Sequence, residues 1–285
     1  MADTIVDNKL FLEKEILAPF THILQNQSKQ IRNKIGTAFN HWLKIPKDEM
    51  KNILGTTEII YLTGLIVDDI EDNSTIRRGL PASHCVYGIP LTINCTVHMF
   101  LLALGKLFKL HPKAAEVYQQ DFTEVVRGQS IELYWRDNLI CPTEEQYHNM
   151  LRQKNGALFK MTFSIMQLFS EEKTDYTDLT LLIGQYFQLR EDYLNLVGQE
   201  KLEEFPVELS QGTNTFCEDI TEGKYTLPII HAMGTPQGET IRYILRQRPT
   251  DIQMKKYFVS LLEKSGSLEY TRNVLIKLDL EIREL

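Results

Sequence analysis

At 285 residues the chain can bury a substantial core within one large domain, and 43% hydrophobic with 24% charged residues is the balance of an ordinary globular protein. A formal net charge of −7 argues against a nucleic-acid partner and makes any local basic cluster more informative. The four cysteines, Cys85, Cys95, Cys141 and Cys217, form no CxxC and have no histidine at zinc-ligand spacing. Neither a disulfide framework nor a zinc site is expected, and a reducing compartment, the cytoplasm, is the expected location.

The first 17 residues carry Asp3, Asp7, Glu13 and Glu15, which is not the pattern of a secretory signal. No run approaches 18 uninterrupted apolar residues, so no transmembrane helix is expected. Residues 11–24 have helical apolar spacing that Pro19 should break or kink. Lys29 and Arg32 then lie three apart on one helix face, where a solvated surface is the default reading. Pro46 and the acidic turn Asp48-Glu49 open a long helix running through Glu58 and Tyr61.

That helix ends in Asp68-Asp69-Ile70-Glu71-Asp72, four carboxylates in five positions. On a helix Asp68 and Asp72 share a face, and their repulsion destabilises it unless a cation intervenes. Clustered hard oxygens suit Mg²⁺, which shares its remaining positions with water and substrate phosphates. An acidic, solvated helix end is the simpler alternative. Arg77 and Arg78 follow, then Gly79. Guanidinium groups suit phosphate because each donates two parallel hydrogen bonds and stays charged; local neutralisation of the acids would also account for them. Metal-binding acids beside phosphate-binding arginines read as a diphosphate site.

Residues 93–110 and 114–137 give two further helices, and Thr143-Glu144-Glu145-Gln146 a capping box for the next, which continues through Lys154 and Asn155. Residues 174–197 form an apolar helix ending in Gln188-Leu189-Arg190-Glu191-Asp192-Tyr193-Leu194-Asn195, where adjacent acids again close an apolar helix. This second cluster reads either as a helix-end charge pair or as a ligand set facing the first across a bundle. The polar stretch 198–215 reads as an active-site loop; Gly223 sets Lys224 on a turn, and Pro228 begins another helix. No strand series or repeat is found.

Taken together, Asp68-Asp69-Ile70-Glu71-Asp72 with Arg77-Arg78-Gly79, Glu132-Leu133-Tyr134-Trp135, Cys141-Pro142-Thr143-Glu144 and Phe216-Cys217-Glu218-Asp219 with Glu222-Gly223-Lys224 make nearly the whole chain resemble the trans-isoprenyl diphosphate synthases. The closest likeness is to animal geranylgeranyl diphosphate synthases. The resemblance implies an all-α isoprenoid synthase (class I terpenoid synthase) bundle around a central cavity, one domain over 1–285, and a homodimer or larger homo-oligomer. It implies three Mg²⁺ and an allylic prenyl diphosphate substrate. Carried across, Asp68, Asp72 and Glu191 are metal ligands, with Asp69, Asp192 and Asn195 completing the two acidic motifs. Arg77, Lys154, Gln188 and Lys224 hold the allylic diphosphate, and Lys29, Arg32 and Arg78 line the isopentenyl diphosphate pocket.

The chain departs from that family at connected places. Tyr61 stands where a histidine would help bind isopentenyl diphosphate, Glu191-Asp192 where a pair of aspartates would, Asn155 where a threonine would, and Thr215 where a lysine would. Two cationic donors are thereby lost while the first acidic motif is intact. The pattern is that of an insect-type terpene synthase that ionises geranylgeranyl diphosphate to a C20 product, consistent with the small Thr63 and Gly64 before the motif. The alternative is a geranylgeranyl diphosphate synthase that condenses farnesyl with isopentenyl diphosphate, a transferase rather than a lyase.

Overall fold

The computed structural model describes residues 12–25, 30–197 and 216–285. Lys29 and the 198–215 stretch lie outside the described residues. The chain falls into two compact units, one of Met1–Tyr118 with Ser164–Lys173, the other of Gln119–Phe163 with Thr174–Leu285.

The first unit begins with α1 (Ala18–Ile23), and Pro19 sits in its first turn, where its missing N–H costs nothing. It continues through α2 (Ile31–Leu43) and α3 (Lys47–Glu71). A two-residue hairpin follows, β1 (Ile76–Arg77) against β2 (Leu80–Pro81), with Arg77 opposite Leu80. Sequence reasoning found no strand, and two residues per strand carry no periodicity to find. The turn residues Arg78 and Gly79 both have positive φ, the combination of a tight hairpin loop. Then come α4 (Ser83–Tyr87) and α5 (Ile89–Leu110). Phe20, Ile23, Leu62, Ile66, Cys95 and Met99 pack α1, α3 and α5 together.

By length and composition α5 could cross a membrane, although most of a core helix would pass the same test, and the polar Thr92, Asn94 and Thr96 hide it from a count of uninterrupted apolar residues. Its outer face exposes Ile89, Ile93, Val97, Leu101 and Phe108 at helical spacing.

The next helix, α6 (Pro112–Asp137), leads into the second unit, where α7 (Glu144–Leu151) starts at the expected capping box: Thr143 Oγ1 accepts from the Gln146 N–H and Gln146 Oε1 from the Thr143 N–H. The helix expected to run straight on is interrupted by one π turn, Arg152–Gly156, before α8 (Ala157–Gln167). The second unit closes with α9 (Thr177–Val197), α10 (Glu218–Glu222), α11 (Leu227–Ala232), α12 (Gly238–Arg246), α13 (Ile252–Lys264) and α14 (Ser267–Glu284). Its core includes Tyr147, Leu182, Leu189, Ile220, Phe258 and Leu262.

Candidate active site

Both acidic clusters arise in the same way. On α3 the buried positions run Ile53, Thr56, Ile60, Thr63, Ile66 and Asp69, a helical stripe whose last member is an acid. On α9 they run Leu182, Gln185, Leu189, Asp192 and Leu196, again placing an acid in an apolar register. The helix period therefore decides which member of each acidic pair goes inward: Asp69 rather than Asp68, and Asp192 rather than Glu191.

A carboxylate drawn into the interior needs a partner. Asp69, 1% exposed, receives Arg77 Nε at 2.6 Å, and the Arg77 guanidinium reaches Asp68 Oδ2 at 3.4 Å. Burial alone would lower the Arg77 pKa, but the charge and hydrogen bond of Asp69 outweigh it and hold it above its ordinary value. The hairpin aims Arg77 at α3, and the Arg77–Asp69 pair lines a small cleft with His22, Arg78, Leu80 and Ser83. Asp72 caps the helix, donating its backbone N–H to Asp68 O, and is itself buried. Of the residues the resemblance gave to diphosphate, Arg77 is thus engaged by the acids. Beside them Arg32 lies over the face of Tyr61, its guanidinium carbon 3.5 Å from the ring centroid.

The second unit holds a cluster of its own. Lys154 Nζ lies 2.5 Å from Glu132 Oε2, and Lys224 Nζ 2.7 Å from Glu222 Oε2. Both α6 and α9 approach the π turn closely, and glycines make room: a Cβ on Gly128 would lie 2.6 Å from Lys154 N, and one on Gly184 2.6 Å from Asn155 O. Gly223, with φ of 79°, ends α10 and sets Lys224 on its turn as expected. Asp192 accepts from Tyr147 Oη and Gln188 Nε2. Burial, with the Glu132 charge, lifts its pKa to about 6 against the pull of those hydrogen bonds. Asp219 is raised further, by burial and then by the Asp192 charge, despite Lys224. Its N–H reaches Asn195 Oδ1 at 3.4 Å, while its Oδ2 is buried with no hydrogen-bond partner. Glu191 faces outward beside Arg190, 3.0 Å away.

Tyr147, Asp219 and Glu222 were not picked out as site residues from sequence. Asp219 and Glu222 lay inside a quoted motif, but 45 positions separate Tyr147 from Asp192 and no local pattern joins them. Thr63, expected to face the cavity, is fully buried and donates to Ile59 O, whereas a Cβ on Gly64 would meet nothing within 4 Å.

Among the described residues no three acids, histidines or cysteines converge closely enough to hold a metal by themselves. Mg²⁺ does not require that, since one or two carboxylates plus water and substrate phosphates satisfy it. Asp68 and Asp72, one turn apart in the first unit, are hard oxygen donors of that kind, and so by itself is the Asp219 Oδ2 in the second, so the donors present fit the ion.

Comparison with known proteins gives a consistent picture. Residues 13–262 match the polyprenyl synthetase family model. A terpene synthase of Matsumurasca onukii is 46% identical over 275 residues, covering 96% of this chain and 88% of that protein. A geranylgeranyl pyrophosphate synthase of Mucor circinelloides f. lusitanicus is 40% identical over 267 residues, covering 92% and 84%, and one of Gibberella zeae is 40% identical over 275 residues, covering 96% and 72%.

Proposed function

This chain belongs to the polyprenyl synthetase family and has its all-α isoprenoid synthase fold, and from that premise we propose that it is a terpene synthase, ionising geranylgeranyl diphosphate to a C20 hydrocarbon or alcohol. Family members are prenyltransferases or terpene synthases, so the chain is an enzyme, and the family generally uses Mg²⁺. The observation that carries the reading is the stack of Arg32 on Tyr61. At the position where a histidine would serve a second diphosphate, an aromatic face instead engages one of the arginines that would bind it. Such a contact is worth about 0.5–2 kcal/mol, which any incoming diphosphate would have to displace. The similarity to a terpene synthase at 46% identity supports the same reading.

In this reading the C1–O bond of the allylic diphosphate breaks and pyrophosphate leaves with the electron pair. Bound magnesium, three ions by the family resemblance, would supply positive charge to the leaving group. By the family resemblance Asp68 and Asp72 would offer oxygens to the metal, and Arg77, Lys154 and Lys224 would stabilise the charge of the departing pyrophosphate, as preorganised cations do. The allylic cation then loses a proton or captures water. We also place the enzyme in the cytoplasm, which the four free cysteines support, and pair it with a second copy through the exposed apolar face of α5.

The geranylgeranyl pyrophosphate synthases among the relatives favour condensation as the second reading. The deciding experiment incubates the chain with Mg²⁺ and geranylgeranyl diphosphate alone and analyses an organic extract by gas chromatography and mass spectrometry. A C20 hydrocarbon or alcohol that an Asp68→Ala/Asp72→Ala variant does not make is the expected result. An untouched substrate, with a C20 diphosphate formed from farnesyl and isopentenyl diphosphates, would establish condensation instead.

A further inference from the structure

Both carboxylate oxygens of Asp192 are held, each from a different direction. Tyr147 Oη, on α7, donates to Oδ2 at 2.5 Å. Gln188, one turn earlier on α9, donates through Nε2 to Oδ1 at 2.6 Å, and accepts at Oε1 from Asn155 Nδ2 at 2.7 Å. An ionised carboxylate can only accept, so Gln188 must present its nitrogen to Asp192 and its carbonyl oxygen to the π turn. Only a donor there completes the chain, and Asn155 supplies it. Two further observations show that the arrangement is built in. The π turn carries Asn155 toward α9, and Gly184 lets α9 close on it, since a Cβ at 184 would lie 2.6 Å from Asn155 O and from Gly156 Cα. Tyr147 is 1% and Asn155 7% exposed, so water does not compete for these bonds. With two donors in place, each oxygen of Asp192 keeps a lone pair for a cation or its water.

We propose that Tyr147 and Asn155 are positioning residues that clamp Asp192 from two elements and so fix how the second acidic cluster faces a magnesium diphosphate. Neither touches the reacting atoms; Tyr147 acts directly on Asp192 and Asn155 through Gln188. The inference rests on the reading of the site as a magnesium diphosphate site.

The test is calorimetric titration of the full chain with inorganic pyrophosphate and Mg²⁺, with a thermal melt of each variant followed by circular dichroism. Tyr147→Phe and Asn155→Leu are each expected to weaken binding by about tenfold to a hundredfold, the usual cost of losing a partner that orients a ligand. The double variant should lose less than the product of the two, because both act through one carboxylate. Tyr147→Phe removes a single hydroxyl and keeps the ring, so it decides the question if Asn155→Leu does not fold. Binding within twofold of the parent in Tyr147→Phe, whatever its melting temperature, overturns the proposal, as do losses that multiply independently. A parent chain that takes up no magnesium pyrophosphate overturns the reading of the site instead, a result told apart by needing no variant.

Discussion

Gly184→Ala sets two known effects against each other. In the middle of a helix, alanine in place of glycine contributes about 1 kcal/mol of stability. At this place, however, the new Cβ would lie 2.6 Å from Asn155 O and Gly156 Cα and 2.7 Å from Asn155 C, all backbone atoms that no side-chain rotation can move. Ordinary contact begins near 3.4 Å, so α9 and the π turn must part by several tenths of an ångström. Overpacking of this kind costs about 1–3 kcal/mol, and three simultaneous backbone contacts put the cost at the upper end. The net expectation is a loss of about 2 kcal/mol, or roughly 4–8 °C in melting temperature for a chain of this size. The same movement lengthens the 2.7 Å bond from Asn155 to Gln188 and weakens it. A melt by circular dichroism reads the sign directly. A variant more stable than the parent would mean that the close approach is not tight in solution, and the argument from Gly184 would fall.

Other consequences follow from the buried acids. Asp192 has its pKa raised from 3.8 to about 6, chiefly by burial, and Asp219 is raised as well. Above pH 4 the unfolded chain releases these protons while the folded chain keeps them, so the stability they contribute is fully present below about pH 4, and that of Asp192 is lost as pH rises through 6. For Asp192 the interval corresponds to about 3 kcal/mol, and Asp192→Asn should remove its share of the decline, between about pH 4 and 6, in melts of the ligand-free chain; an unchanged decline there would refute the assignment. Arg77→Leu leaves Asp69 buried without its ion-pair partner and should cost about 3–5 kcal/mol by chemical denaturation. Restoration by the second change Asp69→Asn would show that the charge left on Asp69 is responsible, and its absence would show that it is not.

The sequence made the helices legible because their apolar spacing is long and regular, and the caps at Pro19, Thr143, Gly223 and Pro228 because turn chemistry is local. It also led to the first acidic motif and to Arg77, eight residues from the acid it bonds. What it did not reveal depends on tertiary contact. The π turn at Arg152–Gly156 has no signal in a sequence that reads as continuous helix, and its position follows from Gly128 and Gly184 on two other helices. The orientation of Glu191 and Asp192 could have been read from the stripe through Leu182, Leu189 and Leu196, but the adjacency of the two acids drew attention from their phase. The partner of Tyr61 could not have been read at all, because twenty-nine positions of chain separate it from Arg32 and only packing joins them.

The ion pairs found in the ligand-free chain also bear on how the same residues could serve a substrate. Arg77 lies on Asp69, Lys154 on Glu132 and Lys224 on Glu222, so each cation assigned to the allylic diphosphate is already bonded to an acid. A buried charge is costly without its counter-charge, and these pairs let both signs persist in the interior before anything binds. Diphosphate alone would draw a cation from its acid and leave that acid exposed to its neighbours' charge, and magnesium alone would do the converse. Together they bring both signs, and the exchange leaves every group with an opposite charge. Binding of the two should therefore be positively coupled, and the coupling must be reciprocal. The acids adjacent to each cation are on this view as much a part of the diphosphate site as the cations themselves, since they balance the charges of these largely buried side chains until a substrate arrives.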